Sequence, residues 1–152
     1  MFMQEALLEA KKAFNEEEVP VGAIAVFQGN IIARAYNQVE RLQDASAHAE
    51  LLCLRQAASF LKNWRLLEVT LYTTLEPCTL CLGALLSFRV KRLVWGAPDI
   101  RQGADGSWIS LLSTPHPMHT LEVTKGILPE LSAQLMKEFF VKKRRQKNGE
   151  DN

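Results

Sequence analysis

The chain has 152 residues, of which 47% are hydrophobic and 23% charged, and its formal net charge at pH 7 is +1. These values predict one globular domain over residues 1–152 and are not typical of a disordered chain. The near-neutral charge excludes a polycation that binds nucleic acid with its whole surface, so any attraction to RNA must be local.

The cysteine count and the N-terminal segment indicate a reducing, cytoplasmic compartment. Three cysteines, a small and odd number, argue against a disulfide framework. Glu5 and Glu9 interrupt the apolar pattern at the N-terminus, which is therefore unlike a signal or transit peptide. No stretch approaches the roughly 18 apolar residues that span a bilayer. We expect a cytoplasmic protein without membrane contact, whose thiols stay free to bind metal.

The first part of the chain is predicted to form a helix and a β-hairpin. Apolar residues recur at helical spacing from Phe2 to Phe14, and Pro20 ends this helix. Two apolar segments, 21–27 and 31–36, flank residues 28–30, a turn in which Gly and Asn would supply positive φ.

Helices and strands alternate after the hairpin. Ser46 is expected to cap a helix that runs to about Leu61, and a helix from about Pro77 starts with the residue type favoured at the first helical position. The other predicted elements are strands at 69–75, 91–97 and 121–123, a long loop at 98–119 with a short helix near 107–113, and a final helix from 131 to 147. This order predicts a three-layer α/β/α sandwich with a mixed, mostly parallel five-stranded sheet.

Two short motifs carry the candidate chemistry, His48-Ala49-Glu50 and Pro77-Cys78-Thr79-Leu80-Cys81. Cys78 and Cys81 are three residues apart, so they share one face of a helix. The positive end of that helix favours the thiolate form. With His48 they make a three-ligand zinc site, whose fourth position is open to water as in catalytic zinc sites.

Glu50 supplies a carboxylate that can accept a proton from water, whose pKa zinc lowers towards about 7. His48 and Glu50 are two residues apart and would point nearly opposite ways in a regular helix. Both can reach one site only if the motif lies in an irregular first turn.

Each of these residues has a simpler interpretation when taken alone. His48 could be a surface or capping residue, and the two cysteines could be a redox pair or half of a structural zinc site. Cys53 could be a fourth ligand, but its apolar neighbours favour a buried structural thiol. Glu50 favours a catalytic zinc site, because a structural zinc site does not require a proton-transferring carboxylate.

The pattern H-x-E…P-C-x-x-C is the signature of the zinc-dependent nucleobase deaminases. The chain resembles the bacterial tRNA-specific adenosine deaminases well beyond this signature, in segments 18–26, 36–37, 46–57, 71–86 and 94–99 and in its basic ending. These enzymes convert the wobble adenosine of an anticodon to inosine. The resemblance implies a cytidine deaminase-like fold and one zinc ion per subunit, held by His48, Cys78 and Cys81. It implies that hydroxide attacks C6, that Glu50 shuttles protons and that ammonia leaves.

The same resemblance implies how the substrate is held. Asn37 would hydrogen-bond the purine, Pro20 and Val21 would help wall the pocket, and Asp99 would contact the sugar–phosphate backbone, including a 2′-hydroxyl. Without the resemblance, Asn37 and Asp99 are better explained as turn residues, and Pro20-Val21 as a strand entry. The family implies a homodimer, and an arginine tRNA with the anticodon ACG as substrate.

A basic helix and tail at about 137–152 offers further RNA contacts. Its cluster of Lys142, Lys143, Arg144 and Arg145 could bind phosphates, or could simply complement the helix dipole. His119 is expected to face the RNA, and His116 is unassigned. The chain departs from the family at Pro98, where a basic residue is common. Two other functions remain open: a free-base or nucleoside deaminase, such as a guanine deaminase, and a zinc-stabilised RNA-binding module.

Overall fold

The computed structural model describes residues 1–149, so the last three residues of the predicted tail, 150–152, lie outside the described residues. The helices are α1 (Phe2–Asn15), α2 (Val39–Leu42), α3 (Ala49–Leu61), α4 (Thr79–Ser87) and α5 (Pro129–Lys147). The strands are β1 (Gly22–Phe27), β2 (Asn30–Tyr36), β3 (Val69–Leu75), β4 (Arg92–Ala97) and β5 (Glu122–Lys125).

The five strands form one mixed sheet in the order β2-β1-β3-β4-β5. β1 is antiparallel to both of its neighbours, whereas β3, β4 and β5 pair in parallel. β2 therefore runs in the same direction as β3, and only β1 is reversed. The prediction of a mixed, mostly parallel five-stranded sheet is confirmed.

Helices cover both faces of this sheet. Successive residues of β1 point to opposite faces, so Ala23 and Ala25 join one core while Ile24 and Val26 join another. The first core includes the buried faces of α3 and α4, and the second includes that of α1 with part of α5. This arrangement is the predicted three-layer sandwich.

The β1–β2 turn differs from prediction in one detail. Positive φ occurs at Gln28 and Gly29, with values of 51° and 77°, so the two-residue turn has the type I′ pattern that fits the strand twist. Asn30 is instead the first residue of β2, and its side-chain amide donates a 3.2 Å hydrogen bond to the Gln28 carbonyl. The expectation that Asn30 needs positive φ was wrong.

Two helix starts also differ from prediction. Ser46 does not cap α3, because its hydroxyl donates a 2.7 Å hydrogen bond to the Asp44 carboxylate and His48 occupies the N-cap position. α4 begins at Thr79 with Cys78 as its N-cap, so Pro77 precedes the helix. Both helices therefore begin two residues later than local rules suggest, and the shift places metal-ligand residue types at both N-caps.

Two short segments were also predicted incorrectly. α2 was not anticipated, and the long loop holds only a 3₁₀ turn at Leu111–Ser113 where a short helix was expected over 107–113. Among residues 1–149, no helix combines the length and the apolar character that a membrane crossing requires.

Candidate active site

A large cavity opens beyond the carboxyl ends of β3 and β4, where Leu75 and Ala97 line it. Ligands commonly bind at this edge of an α/β sheet, because the loops there lead into helix N-termini. The cavity measures about 1060 Å³. Its walls come from five sources: the segment after α1, the segment from Asn37 into α2, the N-termini of α3 and α4, the loop after β4, and one face of α5.

His48, Cys78 and Cys81 converge beside this cavity, which His48 and Cys78 line. The Nδ1 atom of His48 lies 3.4 Å from the Cys81 Sγ atom and 3.5 Å from the Cys78 Sγ atom. All three donor atoms lie within 4.8 Å of one another. A tetrahedral zinc ion with its usual bond lengths to nitrogen and sulfur separates such donors by about 3.6 Å. The donor set and its spacing therefore fit zinc.

The backbone explains how residues from two helices reach one point. His48 and Cys78 are both N-caps in extended conformation, with φ/ψ of −76°/148° and −77°/179°. Cys81 is the third residue of α4. Free N–H groups at a helix N-terminus favour negative charge, so this placement suits thiolate ligands.

The two thiols are not equivalent in their surroundings. Hydrogen bonds from the Cys81 thiol and the His48 ring lower the pKa of Cys78 to about 4, and the interaction with Cys78 also raises the pKa of His48. The neighbouring Cys78 sulfur and burial raise the pKa of Cys81. Cys78 therefore ionises first, and a metal dication favours ionisation of both thiols.

Glu50 lies in the first turn of α3 and borders the same cavity as His48. The extended backbone at His48 lets two residues of an H-x-E motif face one site, which confirms the predicted irregular turn. The Glu50 side chain is buried, and burial raises its pKa to about 7. A carboxyl with that pKa can take up and release protons at neutral pH.

Cys53 is buried in the core beside Leu54 and Ala57, away from the three donors. Burial raises the pKa of its thiol, which keeps it protonated. The prediction of a structural thiol is confirmed.

The structure brings some of the predicted substrate-binding residues to the cavity. Asn37 and Val21 both line it, and the Asn37 backbone N–H donates a 3.0 Å hydrogen bond to the Val21 carbonyl. Pro20 is buried but does not line the cavity, whereas Val19 does. Pro20 thus lies behind the wall that its neighbours form.

Asp99 lines the cavity and also shapes the backbone after β4. Its Oδ1 atom accepts hydrogen bonds from the N–H groups of Arg101, at 3.2 Å, and Gln102, at 3.4 Å. This is the side-chain turn that aspartate commonly forms. Asp99 is therefore both a turn residue and part of the cavity wall.

His119 lies away from the cavity. Its Nε2–H donates a 2.6 Å hydrogen bond to the carbonyl of Val90, which precedes β4. The cavity opens at the other end of β4, about 20 Å away for a six-residue strand. The structure gives no support to an RNA contact by His119 at this site. His116 is part of a local turn, where its Nδ1 atom accepts a 3.1 Å hydrogen bond from the Met118 N–H.

The four residues of the basic cluster lie on different faces of α5. Lys143 borders the cavity, whereas Lys142 and Arg145 border a separate groove on the same helix, and Arg144 is exposed. Consecutive residues of a helix are rotated by about 100°, so one helix cannot aim all four at the same place.

Two buried glutamates at the cavity were not assigned any role from sequence. Glu18 accepts hydrogen bonds from the N–H groups of Glu40, at 3.0 Å, and Arg41, at 2.7 Å. Glu76 accepts hydrogen bonds from the loop after β4. Both could have been noticed in the sequence as glutamates beside apolar segments, Val19–Val21 after Glu18 and β3 before Glu76. A charged side chain buried in such a place must be paired.

Comparisons with known proteins agree with this geometry. Residues 1–97, which include His48 and both cysteines, match the family described as the cytidine and deoxycytidylate deaminase zinc-binding region. The fold and the site thus define an enzyme of the zinc-dependent deaminase class, with the expected cytidine deaminase-like fold.

The chain is 44% identical over 147 residues to the tRNA-specific adenosine deaminase of Bacillus subtilis, with 97% of this chain and 91% of that protein covered. The chain belongs to the tRNA-specific adenosine deaminase family. It is 49% identical over 156 residues to the chloroplastic tRNA(adenine(34)) deaminase of Arabidopsis thaliana, and this match spans 92% of the chain but 12% of that protein's length.

A solved structure from work on A-to-I editing by tRNA:A34 deaminases at the wobble position of transfer RNA matches with a TM-score of 0.85. The two chains are 41% identical, and the match covers 88% of this chain and 97% of that one. The likeness therefore extends over nearly the whole fold and not only over the zinc-binding motif.

Proposed function

We propose that this enzyme deaminates adenosine to inosine at the wobble position of a tRNA anticodon, by hydrolysis. The observation that carries the proposal is the buried Glu50 carboxyl beside the His48, Cys78 and Cys81 donors, in one open cavity of a chain from this family. The whole of residues 1–152 acts as a single deaminase domain.

His48, Cys78 and Cys81 hold one zinc ion per subunit. Bound zinc supplies a Lewis acid that makes water acidic enough to act as a nucleophile at neutral pH. Glu50 takes the proton from water as its oxygen bonds to C6 of the adenine, and delivers that proton to N1 of the ring. Glu50 then takes the remaining proton from the oxygen on C6 and delivers it to the amine on C6. The C6–N bond breaks as the C6=O bond of inosine forms, and ammonia leaves.

The cavity wall holds the flipped base. The Asn37 side-chain amide hydrogen-bonds the purine, Val21 packs against it, and Pro20 stiffens the wall from behind through its fixed φ. Asp99 contacts the sugar–phosphate backbone and a 2′-hydroxyl, which distinguishes RNA from DNA. A single-stranded anticodon loop is a suitable substrate, because its bases unstack at low cost.

The cavity has room for a nucleotide of a polymer as well as for a free base. Its volume of about 1060 Å³ lies just above the roughly 300–1,000 Å³ range of small-molecule sites. Lys143 and Arg101 make the side of the rim formed by α5 and the loop after β4 basic, whereas Glu16, Glu17 and Glu40 make the side formed by the segment after α1 and by α2 acidic. Lys142, Arg144 and Arg145 extend this basic surface along α5 for contacts with RNA phosphates.

We further propose a cytoplasmic homodimer that acts on an arginine tRNA with the anticodon ACG. The decisive experiment incubates the zinc-loaded protein with this tRNA and looks for inosine at the wobble position. A tRNA with the anticodon GCG is the matched control, and free adenosine and guanine are parallel substrates. Absence of inosine would refute the proposal, and turnover of guanine alone would indicate a free-base deaminase. Sedimentation analysis tests the dimer separately.

A further inference from the structure

Glu76 is a buried carboxylate that none of the proposed chemistry uses. It directly follows β3, and its side chain is 1% exposed. Burying a carboxylate costs free energy unless donors replace the water it loses. Within residues 1–149 no lysine, arginine or histidine forms an ion pair with it. Its donors must therefore come from elsewhere.

The donors all belong to one loop, residues 98–107. The Glu76 Oε1 atom accepts a 3.1 Å hydrogen bond from the Asp99 N–H and another from the Ser107 hydroxyl. The Oε2 atom accepts hydrogen bonds from the N–H groups of Asp105, at 2.9 Å, and Ser107, at 3.2 Å. The loop thus closes around a single carboxylate.

The loop passes so close to this carboxylate that a side chain would not fit between them. A Cβ atom at Gly103 would lie 2.3 Å from the Glu76 carboxyl carbon. The Ala104 N–H also donates a 2.8 Å hydrogen bond to the carbonyl of Pro77, the next residue in the chain. The path of the loop is therefore set by the segment that leads into Cys78.

The outer side of the same loop forms part of the cavity wall. Asp99, Ile100, Arg101 and Gln102 all line the cavity. The Asp99 backbone N–H is held by Glu76, so the carboxylate sets where Asp99 begins its turn. Glu76 also borders the cavity, but it is only 1% exposed and both of its carboxylate oxygens accept hydrogen bonds from the loop, so they are not free to bind a substrate.

We propose that Glu76 is a positioning residue, which holds loop 98–107 in place as the RNA-binding wall of the cavity. It therefore determines affinity for the RNA and leaves the chemical step largely unchanged. The inference rests on the proposed function for the identity of the substrate, but its structural part can be measured without activity.

Glu18 provides a matched control at another wall of the same cavity. It is 2% exposed and also accepts two backbone hydrogen bonds, from Glu40 and Arg41 at α2. Glu76 and Glu18 are thus the same residue type with the same burial, but they hold different segments. A general loss of stability would affect both variants alike, whereas positioning would affect one segment in each.

The test is Glu76→Gln, which keeps the size of the side chain but exchanges one acceptor oxygen for an NH₂ group. The Ser107 hydroxyl can rotate to accept from this group at the Oε1 position, so the Asp99 N–H is the donor left unpaired. We expect amide hydrogen exchange at residues 99–107 to accelerate by about tenfold or more. The KM for RNA should rise by about tenfold with kcat within about twofold, because binding and not chemistry is affected. Zinc content should stay the same.

Two further variants keep the test decisive. Ser107→Ala removes one donor and leaves the carboxylate, so it should give a smaller change of the same kind, and it replaces Glu76→Gln if that variant fails to fold. Glu18→Gln should accelerate exchange at residues 40–41 and not at 99–107. Unchanged exchange at 99–107 in Glu76→Gln, or a fall in kcat at constant KM, overturns the inference. If the wild type makes no inosine, the proposed function fails, and exchange together with direct RNA-binding measurements still tests Glu76.

Discussion

The hydroxyl of Ser132 donates a 2.5 Å hydrogen bond to the carbonyl oxygen of Thr74. This bond ties the first turns of α5 to the carboxyl end of β3, and both residues are buried. α5 continues from there along the cavity, which Phe139, Phe140 and Lys143 border. One buried hydrogen bond therefore anchors the helix that brings Lys143 to the cavity.

Replacing Ser132 tests this anchor. Ser132→Ala should lower the free energy of unfolding by about 1–3 kcal/mol, because it removes a buried hydrogen bond. Urea denaturation measures the change. Ser59→Ala is the control, since Ser59 is exposed on α3, and it should alter stability by less than about 0.5 kcal/mol. Equal effects of the two substitutions would contradict the anchoring role.

The proton-transfer role of Glu50 predicts loss of turnover without loss of metal. Glu50→Gln should reduce kcat by about 10²–10⁴-fold, the usual contribution of a general acid–base, while zinc content measured by elemental analysis is retained. Glu68→Gln, at an exposed position outside the cavity, should leave both quantities unchanged. A Glu50→Gln enzyme with full turnover would exclude the role. RNA binding without any wild-type turnover would favour a binding module.

The three cysteines should differ in metal binding. Cys78→Ala and Cys81→Ala each remove one of three protein donors, so each variant should be isolated with little or no zinc. Cys53→Ala should retain a full complement, because that thiol lies in the core and outside the donor group. Metal analysis of the three purified variants measures the zinc content of each. Zinc loss in Cys53→Ala alone would reverse the assignment.

The division of the basic cluster predicts unequal effects on RNA binding. Lys143→Gln should weaken binding and reduce the slope of log K against log salt by about 0.7–0.9, the value for one lost phosphate contact. Lys91→Gln is the control, because it removes the same charge from an exposed position just before β4, at the end of that strand away from the cavity. Titrations over a range of salt concentrations measure both variants. Identical slopes would mean that Lys143 makes no phosphate contact.

The contact between Glu5 and Arg34 predicts a pH dependence of stability. The Glu5 carboxylate accepts a 2.8 Å hydrogen bond from Arg34, which lowers the pKa of Glu5 below its usual value of 4.5. Its stabilising contribution is therefore complete above pH 4.5 and is lost as the pH falls through the lowered pKa. The wild type should be more stable than Glu5→Gln at neutral pH, and the difference should shrink in acid. Thermal unfolding at several pH values checks this. Glu68→Gln is the control, because Glu68 forms no salt bridge within residues 1–149.

The metal donors could be predicted from sequence because the signal is local. Cys78 and Cys81 share a helix face through their spacing alone, and His48 and Glu50 belong to one tripeptide. The strand at 69–75 was predicted with its observed bounds, since β-branched and aromatic residues cluster there. Features of this kind depend on residues that are adjacent in sequence, so one sequence is enough to predict them.

Most of the features that were missed depend on contacts distant in sequence. α2 has only four residues, too few for a periodic pattern, and Glu18 from another segment holds its first N–H groups. Glu76 cannot be identified as a positioning residue until the loop around it is known. Ser46 is an exception, because Asp44, which binds its hydroxyl, is only two residues away and competes locally with the helix N-terminus.

The three metal donors have a thermodynamic consequence for the protein as a whole. They come from the starts of two helices, and His48 and Cys78 are 30 positions apart in the sequence. The unfolded chain does not hold them within one coordination sphere, so zinc binds the native state in preference. Available zinc then acts as a stabilising ligand, and the midpoint of unfolding should rise with its free concentration. The supply of metal in the surroundings thus sets how much of the protein is folded, as well as how much of it can react.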